Sequence, residues 1–223
     1  MLAQIRQGTT YTLRLTAEFE NEVRSATRFA VMCKYVRREV RDMSHADREA
    51  FFTALEIAHR ADNIQQGRDT YGPRFTSVAA LVAKHLDATT LNACSPFFNG
   101  LSFVTSHAAL ALELEQVLQT IDPSIALPYW DYTQDAAEYG GGGDWRTGSD
   151  LFQDEWFGEA APGNSDHHVQ SGRFAYLPIA SVGDQFSLAA NGIATPEHNA
   201  YDRLTDAFNN DPSAYLTRWS SVC

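Results

Sequence analysis

The chain is poor in cysteine: Cys33, Cys94 and Cys223 are the three it has in 223 residues, far apart and with no CxxC pair. A zinc site built on closely spaced thiolates is therefore unsupported. One disulfide with a third thiol left over and three reduced thiols both fit this count, so the compartment stays open. Positive charge is scarce as well. Lys and Arg number 17 against 28 Asp and Glu, a formal net charge of -11. A surface that acidic repels phosphate backbones and anionic lipid, which argues against nucleic acid or a membrane surface as partner. No apolar run approaches the ~18 residues of a membrane span. The stretch Met1 to Gly8 lacks the apolar segment of a signal peptide, and no internal repeat is visible.

What the chain has is ordinary globular material. Hydrophobic residues make up 44% and charged residues 20%, enough apolar surface for one domain with its own core. With 13 Phe and 9 Tyr, that core is expected to be aromatic-rich. Thr9 to Phe19 partly alternates, with Tyr11, Leu13 and Leu15 against Thr10, Thr12 and Arg14, and reads as a short strand or an extended arm. Glu20 to Arg41 is charged and compatible with a helix. We therefore divide the chain into an arm, 1–32, and a domain, 33–223.

Within the domain the expected class is mainly α, a helical bundle core with long ordered loops. Ser44 followed by Asp47 resembles a capping box, and Phe51, Phe52, Leu55, Ala58 and His59 recur at helical spacing, predicting a helix over 45–60. A second is predicted over 75–86, with Val78, Leu81, Val82 and His85 on one face. A third runs over 105–121 from an N-cap at Thr105 or Ser106, where His107, Leu110, Leu114, Val117, Leu118 and Ile121 step by three and four. Asp122-Pro123 ends it. Gln134 to Asp211, with four consecutive glycines at 140–143, reads as long ordered loops with little regular structure.

Seven histidines stand at 45, 59, 85, 107, 167, 168 and 198. His85 and His107 are in phase with the apolar faces of their helices and could converge inside a bundle, as metal ligands of helix bundles do. Neutral imidazole suits copper, zinc, iron or nickel. From spacing alone the plainer reading is two core histidines, each satisfied by a hydrogen bond. His167 and His168 follow Asn164-Ser165-Asp166 and read as a solvated pair. His45 belongs to an exposed first turn, and His59 to a core or edge position.

Several stretches carry a family resemblance. Phe103-Val104-Thr105-Ser106-His107-Ala108-Ala109-Leu110 runs on into Leu112-Glu113-Leu114-Glu115-Gln116-Val117-Leu118-Gln119, and Ala126-Leu127-Pro128-Tyr129-Trp130-Asp131-Tyr132 follows. Lys34 to Arg41, Asp47-Arg48, Leu151-Phe152, Trp156-Phe157-Gly158 and Gly172 to Tyr176 add weaker matches. Together, over about 33–180, these resemble the tyrosinase and polyphenol oxidase family of type-3 copper proteins, in its first-copper-site half. The resemblance implies copper as cofactor, with His107 as the third ligand of the first site and His85 as the first. The second ligand is expected nine residues before His107, just after a cysteine, and Phe98 stands there, following Cys94. A phenyl ring has no lone pair for a metal. The family's second site uses an HxxxH pair, and none occurs in this chain; the nearest string, His198 to Asp202, has Asp in place of the second His. Tyr215 to Arg218 resembles the segment leading to that second site. Trp130 and Asp131 are expected to lock the loop after the helix.

Three readings follow. The first is a tyrosinase-like domain with lost or incomplete copper chemistry and a structural or interaction role, with protein partners in a larger assembly. The second is a copper-dependent phenol or catechol oxidase seen as a partial chain. The third is a small-molecule binding domain reusing an old pocket made apolar by Phe97 and Phe98.

Overall fold

Ser44 decides where the first helix begins. In a computed structural model that describes residues 10–19, 22–32, 34–61, 63–90, 102–140, 144–178, 215 and 218, its hydroxyl accepts from the Asp47 N–H at 3.2 Å and caps α1, His45–Arg60. The helix carries its apolar residues at helical spacing, so Phe51, Phe52, Ala54, Leu55 and Ala58 share one buried face. Phe52 is fully buried and meets Trp156, Phe157 and Phe174, with the Phe157 ring at 4.9 Å edge-on. The expectation of an aromatic-rich core is met here.

Four more α-helices of the described residues follow before a last short turn of helix. α2, Ile64–Tyr71, is capped by Asn63, whose side-chain oxygen accepts from Gln66 N. It was absent from the sequence reading because eight polar-rich residues carry little periodic signal. Gly67 is the reason it can pack: a Cβ there would run into the Phe75 ring, which is fully buried. α3 is Val78–Thr90, displaced by about a turn from its sequence-derived bounds, and α4 is Ser102–Ile121, which begins about a turn earlier than expected and ends at Ile121 as expected. They pack on one another and on α1. α4 contributes Val117 and Leu118 to the core, with Leu110, Leu114 and Ile121 packed at its margin.

After α4 the backbone turns at Asp122 to Ser124 and runs past the segment before α1. Val40 N donates to Tyr129 O and Tyr129 N to Arg38 O, both at 3.0 Å. A short α5, Tyr132–Tyr139, then forms inside what read as loop, capped by Asp131, whose carboxylate accepts from Thr133 N. The four-residue α6, Trp145–Gly148, and irregular backbone to residue 178 complete the described part. The class is mainly α with a small N-terminal sheet.

The arm corrects one expectation. Glu22–Met32, within the stretch read as helix-compatible, is a strand, β2, paired antiparallel with β1, Thr10–Phe19. Val23, Thr27 and Val31 favour extended backbone, and β1 supplies the hydrogen-bond partner that no local pattern announces. One irregularity falls between Ala17 and Glu18: Ala17 pairs with Ser25 and Glu18 with Val23, so the extra residue is Arg24 of β2.

Candidate metal centre

Two helices bring the two sequence-predicted ligands together. On α3, His85 stands one turn after Leu81, which is buried against the core. On α4, His107 stands one turn before the Leu110–Leu114 margin of the same core. The two ring centroids lie 5.7 Å apart with the planes inclined at 65°. Lys84 and Glu113 join the same two helices through a 2.6 Å ion pair. Neither histidine is fully buried; both are half-buried. The expectation of convergence is met, and that of a deep core position is not. The reason lies in α4, whose first turns from Ser102 to Thr105 are exposed and lie outside the core.

The neighbours of the pair bear on its capacity to hold a metal. His107 Nδ1 lies 2.8 Å from the Phe103 carbonyl oxygen. A carbonyl only accepts, so Nδ1 donates, which leaves Nε2 as the nitrogen that would bind a metal. A backbone carbonyl holding Nδ1–H is a common way to orient a metal-binding histidine. Desolvation by burial, with the nearby His107, lowers the pKa of His85 and so favours its neutral form. Neutral imidazole is the form that binds a metal. The Phe103 ring packs on His107 at 4.4 Å between centroids.

Among the described residues no third His, Cys, Asp or Glu joins this pair. Phe98, Phe97 and Cys94 lie outside the described residues, as do Cys33, Cys223 and His198. A cavity of about 260 Å³ opens elsewhere, between Lys34, Arg38, Asp47 and Ile125, and His85 and His107 do not line it.

The profile of the common central domain of tyrosinase matches residues 74–222, and both histidines fall inside the match. This chain belongs to the tyrosinase family. Over 74 residues it is 38% identical to grixazone synthase of Streptomyces griseus subsp. griseus, covering 33% of this chain and 21% of that enzyme. It is also 35% identical over 74 residues to a tyrosinase of Streptomyces antibioticus, covering 33% of this chain and 23% of the relative. The matched stretch thus spans about a fifth of the length of these relatives.

Around the pair, the tyrosinase-family segment after α4 is held by buried charge. Glu115 of α4 accepts from Leu127 N at 2.8 Å and from Arg37 Nε at 2.9 Å. Glu39 is buried and accepts from Arg41; Arg41 also donates to Asp135 and to the Asp131 carbonyl. These hydrogen bonds, together with the Arg41 charge, keep the Glu39 carboxyl below its usual range although burial acts the other way. Trp130 donates its indole N–H to Asp135 at 2.6 Å and packs on Trp145 and Phe152. Trp130 and Asp131 thus lock the loop, as their place in the motif implied. Sequence reasoning missed Glu39, Glu115 and Asp135. An acidic residue at a core-facing step of α4 was the available signal for Glu115.

The other histidines are dispersed. His59 packs edge-on against Phe174 at 5.9 Å, and desolvation with the Arg60 charge lowers its pKa to about 4. His45 is exposed at the start of α1. The 167–168 pair requires a correction, because His168 is buried at 7% exposure and packs against the Tyr176 and Tyr215 rings, and His167 is half-buried. The burying ring of Tyr215 comes from far along the chain, where local polarity gives no warning of it.

Proposed function

We propose that this tyrosinase-family chain keeps only part of the first copper site, with His85 and His107 as its ligands and Phe98 in the place of the remaining one. On this reading three-imidazole copper chemistry is lost, and the domain, 33–223, has a structural or interaction role in a larger protein assembly. The observation that carries it is the imidazole pair, 5.7 Å apart at the α3–α4 contact, with no further donor among the described residues. The donors present suit copper in kind and fall short in number. His85 and His107 would hold the ion, which in this family supplies redox chemistry toward dioxygen. Two imidazoles hold copper far less tightly than three and leave its coordination geometry unspecified. What this chain's own residues do is fix the pair: Phe103 O orients His107, Lys84–Glu113 ties the helices, and Glu115 anchors the segment beyond.

A second reading is a copper-dependent phenol or catechol oxidase of which this chain is a part. The orientation of His107 by the Phe103 carbonyl and the lowered pKa of His85 favour it, since a ligand imidazole must be held in place and deprotonated, and further ligands would come from outside the described residues. Copper content decides between them. Purified chain loaded with Cu²⁺ and dialysed should retain well under one ion per chain and oxidise catechol no faster than buffer. Phe98→His should raise retained copper by completing the imidazole set, still without turnover. Stoichiometric copper or catechol turnover in the unmutated chain would overturn the first reading in favour of the second.

A further inference from the structure

The segment after α4 carries aromatic residues that the fold leaves uncovered. Trp130 is 41% exposed and Tyr132 67%, and their rings meet edge-on at 6.4 Å; Tyr129 beside them is 53% exposed. The backbone under them is fixed. Tyr129 N donates to Arg38 O, Val40 N donates to Tyr129 O, and the Trp130 indole N–H donates to Asp135. Trp130 also meets Trp145 at 5.9 Å and Phe152 at 6.1 Å, so the cluster rests on α6 and the turn after it. Rings held this firmly lose little conformational entropy when a partner covers them. Trp and Tyr are also enriched among the residues that dominate interface energies.

Charge says what kind of partner fits there. Residues 129–152 carry five acids, Asp131, Asp135, Glu138, Asp144 and Asp150, against one base, Arg146, so -4 of the chain's -11 sits in this stretch. Asp135 is buried and taken up by Arg41 and Trp130, whereas Glu138, Asp144 and Asp150 are exposed. These acids belong to the same neighbourhood as the rings. Tyr139 of α5 lies against Gly148 of α6, and desolvation, followed by the charges of Glu138, Asp135 and Asp150, raises the Tyr139 pKa. The chain seats one guanidinium here itself: Arg146 lies over the Trp145 ring at 5.7 Å, with Asp144 Oδ1 3.7 Å from its Nε. An aromatic face with carboxylates beside it suits a guanidinium, because the ring quadrupole and the anions attract the same cation. A second copy of this chain, at -11, is repelled in general and is not the occupant. We propose that the Trp130–Tyr132 platform, with Glu138, Asp144 and Asp150 around it, docks an arginine-rich segment of another protein, one guanidinium lying over the Tyr132 ring. The partner class rests on the interaction role proposed above; copper content decides that role and peptide binding decides this surface, so the two fail separately.

Isothermal titration calorimetry of the full chain with octa-arginine and octalysine gives the test. Octa-arginine should bind with a Kd below about 1 mM and weaken as salt rises. It should bind about threefold or more tighter than octalysine, because a guanidinium stacks on an aromatic face better than an ammonium of the same charge. Tyr132→Ala leaves the charge unchanged and, at 67% exposure, the core untouched. It should cost about threefold to tenfold in octa-arginine affinity and shrink the preference over octalysine. Tyr132→Phe keeps the ring and should bind as the original does, which separates the role of the ring from any folding defect. Glu138→Gln and Asp150→Asn should each weaken both peptides, and by more than Asp69→Asn, which removes the same charge from an exposed site on α2. No binding of octa-arginine, equal binding of octalysine, indifference to Tyr132→Ala, or an Asp69→Asn effect as large as that of Glu138→Gln would each overturn the proposal. Equal peptides would reduce the attraction to bulk charge, and indifference to Tyr132→Ala would place docking on another face.

Discussion

Glu115→Ala tests the frame that holds the imidazole pair and the loop beyond it. The carboxylate is 6% exposed and is the acceptor for Leu127 N at 2.8 Å and Arg37 Nε at 2.9 Å. Arg37 is 42% exposed at its side chain and can turn to water. Leu127 N is a backbone donor in a part-buried setting, and losing its acceptor costs ~1–3 kcal/mol. The charge-assisted bond to Arg37 adds a smaller amount, discounted for solvent. Relief of the carboxylate's own desolvation offsets part of the sum. The net expectation is ~1–3 kcal/mol, which for a chain of this length lowers Tm by ~2–12 °C. Glu113→Ala is the control: its ion pair with Lys84 is solvent-exposed and should cost under ~1 kcal/mol. Glu115→Gln should fall between the two, keeping an acceptor for Leu127 N without the charge. Guanidinium unfolding followed by circular dichroism gives the comparison, with unchanged m-values as the check that only stability moved. If Glu115→Ala costs no more than Glu113→Ala, the carboxylate does not anchor the segment, and the account of its burial is wrong.

Burial of His59 predicts a pH dependence. Its folded pKa is lowered from 6.5 to about 4, so between those values the unfolded chain binds the proton more readily. Stability should be at its plateau above the unfolded pKa and fall as pH drops through that window, by up to ~3 kcal/mol. His59→Leu should flatten the slope between pH 6.5 and 4 in urea titrations, and an unchanged slope would assign it to other groups. Gly67→Ala should cost ~1–3 kcal/mol, because its Cβ would press on the fully buried Phe75 ring. Gly67→Ala combined with Phe75→Leu should cost less than the sum of the two changes; additivity would show that the two residues do not press on each other.

The long periodic helices were legible in the sequence, and for a local reason. Ser44, the phase of Phe51, Phe52, Leu55 and Ala58, and the Asp122-Pro123 stop each act within a turn or two of the chain. The same phase placed His85 and His107 on inward faces, and the residues around His107 carried the family. Their distance was not legible. It depends on how α3 and α4 pack, which side chains far apart in sequence decide together. Local pattern likewise misread β2, whose strand state comes from pairing with β1, and His168, which Tyr215 helps to bury from 47 positions downstream. The buried acids Glu39, Glu115 and Asp135 made the same point. A carboxylate reads as surface until the structure supplies Arg41, Arg37, Trp130 and the backbone N–H groups that satisfy it. Sequence by itself therefore determined the three long helices, the family and the ligand candidates. Tertiary structure decided the partners, because partners are the part of a residue's free energy that its neighbours in sequence do not supply.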